Sequence, residues 1–150
     1  MKTETHTILG GGVSLLSASQ LGVDAACLAA AWGLGSLIHP IIDRFSHARS
    51  RRGVYRTKLL HSFETAIPLS AALGLATGSL VGLGCALALA AALSLSALSH
   101  LLTDMVTPGG VYLMGRRVSV PIFRWDDPAA NSSLSVAGLM MMFIAVALST

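Results

Sequence analysis

The chain has 150 residues, of which 53% are hydrophobic and only 11% charged, and its formal net charge is +3. A water-soluble domain carries about 25% charged residues, so this chain has too few to cover a water-facing surface. An ordinary soluble globule is excluded, no strong nucleic-acid signal remains, and the composition reads as an integral membrane protein of one domain, residues 1–150.

The N-terminus, MKTETHTILGGG, places Glu4 and His6 where a secretory signal would be basic, and no Ala-x-Ala pattern follows. The first apolar segment is therefore expected to be retained. Five apolar segments follow in order: 7–22, 23–42, 63–81, 82–102 and 132–148. A spanning helix needs about 20 residues. The second, third and fourth meet that length, and the first and last are marginal. Asp24 reads as the N-terminal cap of the second helix, and Asn131, after the helix-breaking DDPAA, as that of the last. Cys27 and Cys85 each lie in an apolar stretch without Cys-x-x-Cys spacing. A thiolate metal site is not expected, and both read as small buried apolar side chains.

Two linkers interrupt the segments. The first carries Arg44, Arg49, Arg51, Arg52, Arg56 and Lys58. The second opens with TPGG and carries Arg116, Arg117 and Arg124. Within it VYLM and VSVPIF flank GRR, a pattern for a short hairpin whose second strand is marked as an edge by Pro121. The expected fold is all-α: a membrane-embedded bundle of about five helices, with a short hairpin before the last. Lys2 and the two linkers hold all ten Lys and Arg residues. Basic segments stay in the cytoplasm during insertion. Five spans would put these three regions on one side, so the expectation is a multi-pass cell-membrane protein with its N-terminus and basic loops cytoplasmic.

On that topology the ionisable residues gather at one membrane face. His6 opens the first helix, His39, Asp43 and His47 end the second, His61 and Glu64 begin the third, and His100 and Asp104 end the fourth. His100 and Asp104, four apart, leave one helical face together, and His39–Asp43–His47 repeats the spacing if the helix runs past Arg44. Imidazole and carboxylate are the usual ligands of catalytic zinc and also suit manganese or iron. Each residue also has a plainer use. Asp43 can pair with Arg44 or Arg56, His39 can line a kink at Pro40, His47 can be solvated, and Glu64 can be a first-turn acid favoured by the helix dipole.

The stretches TH at 5–6, IDRFSH at 42–47, RTKLLHS at 56–62 and SHLLTDMVTPGGVYL at 99–113 carry a family likeness. They resemble an archaeal membrane family of unknown function that is also found on archaeal viruses and plasmids. That family is similar in turn to the YdjM family of membrane-bound metal-dependent hydrolases. A more distant similarity reaches zinc-dependent phospholipase C and P1-type nucleases, which use His-x-x-x-Asp on a helix. The resemblance implies a divalent metal, zinc first, and hydrolysis of a phosphoester or lipid headgroup at the membrane surface.

The expected ligands are His6, Asp43, His61, His100 and Asp104, with His47 next, and Glu64 is the candidate general base. Arg51, Arg52 and Arg56 are candidates to hold a phosphate or anionic lipid, or are simply topogenic charge. The alternative is a non-enzymatic membrane scaffold with a structural His/Asp cluster and a basic loop facing lipid. A transporter is disfavoured because no charged residue lies mid-span. Oligomeric state is not legible.

Overall fold

The computed structural model describes the backbone of residues 1–50 and 53–149 and the side chains of residues 1–45 and 56–149. Five helices make up the bundle: α1 (Thr3–Ser19), α2 (Ala25–Ser46), α3 (Phe63–Gly78), α4 (Leu83–Met105) and α5 (Pro128–Ser149). Two small antiparallel hairpins fill the linkers, β1 (His47–Ser50) with β2 (Gly53–Arg56) and β3 (Val111–Leu113) with β4 (Arg116–Val118). The fold is thus the expected all-α bundle, with a second hairpin that periodicity did not suggest.

The helices run up and down and meet through glycine. Gly74 and Gly78 of α3 lie against Leu89–Ala90 and Ala86 of α4, and a Cβ on either would come within 2.5 Å of that backbone. Gly12 of α1 and Gly138 of α5 face each other, where a Cβ on Gly12 would reach 2.3 Å from the Gly138 carbonyl oxygen. Membrane helices associate largely through such close backbone approach, since lipid offers no hydrophobic drive between them. α4 is central. Cys85, Leu89, Ala92, Leu93, Ser96, His100 and Asp104 are buried at three- and four-residue spacing along one stripe.

The bundle has two unlike ends. At one end the α1–α2 and α3–α4 turns close over a small-residue cluster of Ala18, Cys27, Ala31, Cys85, Ala88 and Ala92. There Cys27 and Cys85 form a disulfide, with Cα atoms 5.7 Å apart, inside the range a disulfide bridges without backbone movement. This corrects the expectation of two separate apolar thiols: cysteines 58 residues apart in the chain are neighbours only once α2 lies on α4. The N-terminus and both linkers occupy the other end.

Helix limits differ from the apolar segments. α5 starts four residues earlier than its apolar run, because Asp127 and not Asn131 caps it. The Asp127 carboxylate accepts the Ala130 N–H at 2.8 Å, and Pro128 takes the first helical position. Asp24 does cap α2, accepting the Cys27 N–H at 2.8 Å. α2, α4 and α5 are long and apolar enough to cross a membrane. α3, expected to be long enough, has only 16 residues, about 24 Å of helix, because the chain turns immediately after its last glycine contact. In the predicted hairpin, GRR is divided: Arg116 and Arg117 open strand β4 and Gly115 belongs to the turn. Met114 and Gly115 make the turn, with φ of 48° and 72°, the positive pair that a two-residue hairpin requires.

Candidate metal centre

Four elements deliver the polar end's side chains. His6 comes from the second turn of α1, and His39 and Asp43 from the last turns of α2. His61 comes from the entry to α3, and His100 and Asp104 from α4. His61 is held from behind by the β3–β4 hairpin, where the Tyr112 N–H donates to the His61 carbonyl at 2.7 Å. The segment after β4 folds back under α4, with Val120 N–H donating to the Met105 carbonyl and Ile122 N–H to that of Val106, both at 2.9 Å. The C-terminal carbonyls that a helix end leaves open are thereby satisfied, and Asp104 is fixed in place.

Asp43, His61, His100 and Asp104 each offer one ligand atom, and these four atoms lie within 4.8 Å of one another. His61 Nε2 lies 3.1 Å and His100 Nε2 3.4 Å from Asp104 Oδ2. The same two nitrogens lie 3.9 Å and 3.7 Å from Asp43 Oδ1. Ligands bound to zinc at about 2.0–2.2 Å in a tetrahedron stand about 3.3–3.6 Å apart, so the four separations bracket those of a tetrahedral set. His100 Nε2, fully buried, has no hydrogen-bond partner among the described residues. A buried nitrogen left without a hydrogen bond is costly, and a cation held among these donors would satisfy it. The donor chemistry and spacing therefore fit a divalent metal.

The outer oxygen of Asp104 is fully engaged. Oδ1 accepts Arg56 Nη2 at 2.7 Å, the Met1 amine at 3.0 Å and His6 Nε2 at 3.2 Å. These donors leave Oδ2 turned inward, as supporting hydrogen bonds orient the ligands of metal sites generally. Asp43, the most exposed of the four, accepts the Thr3 hydroxyl on Oδ2 at 2.7 Å. Met1 and Thr3, which touch Asp104 and Asp43, also line an open cleft of about 590 Å³ together with Lys2, Glu4 and Trp125.

A second group shares His100. The rings of His6, His39 and His100 bring one nitrogen each within reach of a common ion, and His39 Nδ1 lies 3.0 Å from His100 Nδ1.

Of the residues expected from the sequence, His6, Asp43, His61, His100 and Asp104 come together here. The His47 side chain and Arg51 and Arg52 lie outside the described residues; the His47 backbone begins β1, so the four-residue spacing from Asp43 is not continued on a helix. Arg56 reaches the site, but as the partner of Asp104 and of the Gly110 carbonyl, 2.9 Å from Nη1. Glu64 belongs to neither group. It is exposed and accepts the Met114 N–H and the Ser62 hydroxyl, which ties it to the hairpin. Sequence reasoning left His39 out of the expected ligands, read Asn131 only as a helix cap, and did not single out Ser96 or Thr3. His39 and Ser96 each stand four residues before a recognised ligand candidate, a spacing that carries the signal. Asn131 Oδ1 accepts the Lys2 N–H at 3.0 Å and the Thr5 hydroxyl at 2.8 Å, contacts between chain ends that no local pattern announces. Comparison of the chain with protein-family models, with curated proteins and with solved structures found no match.

Proposed function

We propose that the chain is a membrane-bound metal-dependent hydrolase acting on a phosphoester or lipid headgroup, with Asp43, His61, His100 and Asp104 around one divalent ion, zinc first. The observation that carries this reading is His100 Nε2, buried without a hydrogen-bond partner among the described residues, 3.4 Å from Asp104 Oδ2 and 3.7 Å from Asp43 Oδ1, near the separations of a tetrahedral set. Held by these residues, such an ion would supply a water of pKa about 7 and polarisation of a phosphoryl or carbonyl oxygen. The chain's own part is to hold Asp104 Oδ2 inward through Arg56 and His6, and to keep His61 and His100 buried. Asp43, which has the longest separations and the greatest exposure of the set, is the side at which a substrate gains access. The likeness of SHLLTDMVT to the YdjM pattern supports the same chemistry.

The topology that accompanies this reading places the N-terminus and both basic linkers in the cytoplasm. Besides the charge pattern, the disulfide at the opposite end supports it, since disulfides persist in oxidising compartments. Cysteines introduced at Leu80 and Arg116 would then label from outside and from inside, respectively.

A closed structural site is the competing reading, favoured by the complete set of four protein donors; structural zinc is four-coordinate, whereas catalytic zinc keeps an open position. Metal content of the purified protein, with hydrolysis of phosphoesters and of phospholipid vesicles before and after chelation, separates them. The hydrolase reading expects about one ion per chain and turnover lost on chelation and restored by zinc. An ion with no turnover on either substrate leaves the structural site, and the absence of any ion above background under metal-replete conditions overturns both.

A further inference from the structure

His39 is fully buried, carries no part of the four-donor set, and sits in a chain of polar contacts. His100 Nδ1 lies 3.0 Å from His39 Nδ1, His39 Nε2 lies 2.8 Å from Ser96 Oγ, and Ser96 Oγ lies 3.3 Å from the carbonyl oxygens of Gly10 and Gly35. The chain exists only because α1 has no side chain at Gly10, where a Cβ would fall 1.5 Å from His39 Nε2.

Proton counting gives this chain one direction when a metal is present. A neutral imidazole has one N–H and one lone pair. If His100 presents its Nε2 lone pair to the ion, its proton is on Nδ1 and is donated to His39. His39 Nδ1 then accepts, so the His39 proton is on Nε2 and goes to Ser96 Oγ. The Ser96 hydroxyl proton ends on the helix carbonyl of Gly10 or Gly35. Every donor has an acceptor and none is left over. The opposite direction would aim a His100 Nε2 proton at the centre of the ligand set.

We infer that His39 is a positioning residue, not a ligand: with Ser96 it forms a hydrogen-bond relay, anchored on the α1 and α2 backbone, that fixes the His100 tautomer with its lone pair toward the metal. The inference rests on the metal reading proposed above and adds to it the side chain that orients the shared histidine. Partners of this kind typically contribute 10–100-fold in metal affinity.

The test uses the full-length protein in detergent, labelled with ¹⁵N-histidine and loaded with ¹¹³Cd, and follows metal affinity by competition with a chelator. In wild type, His39 should carry its proton on Nε2 and show no coupling to cadmium, while His100 couples through Nε2. His39→Ala should weaken binding 10–100-fold at unchanged stoichiometry. His39→Asn, whose Oδ1 replaces Nδ1 as an acceptor, should recover most of that loss. A His39 proton on Nδ1, cadmium coupling to His39, a drop in ions per chain, or equal affinities of the Ala and Asn variants would overturn the relay while leaving the metal site standing. A wild type that binds no cadmium or zinc at all overturns the metal reading and the relay with it. The wild-type spectrum decides the case even if a variant fails to fold.

Discussion

The two ends of this bundle solve opposite problems with the same helices. Around Cys27 and Cys85 the contacts are alanine, leucine and a covalent cross-link. About 20 Å along α4, the stretch from Cys85 to His100 at 1.5 Å per residue, the interior holds four histidines, Asp104 and Ser96, all essentially fully buried. At the first end, burial is favourable in itself. At the second, each buried polar atom costs free energy unless a partner offsets it, so the residues there are legible only as a network. Apolar packing and the buried polar network are divided along the helix axis, and α4 carries both.

Breaking the polar end should cost most. Asp104→Ala removes the acceptor of Arg56, His6 and His61 together and leaves buried positive charge uncompensated, a loss of about 3–5 kcal/mol. Chemical denaturation in detergent should register it, with bound metal lost as well. Retention of wild-type stability would mean that the cluster is solvated.

The apolar end should be next. Cys27→Ala opens a loop of 58 residues, for which chain entropy predicts about 4 kcal/mol and experience about 2–4. Thermal unfolding with and without reductant should show the same gap in wild type and none in the variant, while metal content stays unchanged. A fall in metal content would show that the two ends are coupled.

A change between the ends sharpens the comparison. Gly12→Ala forces a methyl toward the Gly138 carbonyl and should cost about 1–3 kcal/mol, the usual range for overpacking. The mirror change Gly138→Ala should cost a similar amount, and the double variant less than the sum, because both relieve at the same α1–α5 contact. Strict additivity would argue that the helices do not touch there. Smallest of all is Arg124→Ala. Arg124 is 80% exposed in its pair with Asp126, and exposed pairs contribute little, so neither unfolding nor metal binding should change measurably.

Much of the architecture can be read without coordinates. The five apolar runs are the five helices, and the basic linkers lie at one end because each run reverses direction. Misjudged limits fall where polar residues are satisfied by distant partners. α1 begins at Thr3 and α5 at Pro128, and the Lys2, Thr5 and Asn131 contacts that join these ends span more than 120 residues of chain.

The sequence by itself determined the helices, their apolar faces and the placing of His6, Asp43, His61, His100 and Asp104 at one level. All of these follow from local periodicity and from the length of an apolar run. Tertiary structure alone decided that Cys27 meets Cys85, that Glu64 turns to the hairpin while His39 enters the cluster, and which oxygen of Asp104 faces inward. These depend on which helix faces touch. That is set by a few glycines at which backbones approach within the width of a side chain, a condition between helices that no pattern within one helix encodes.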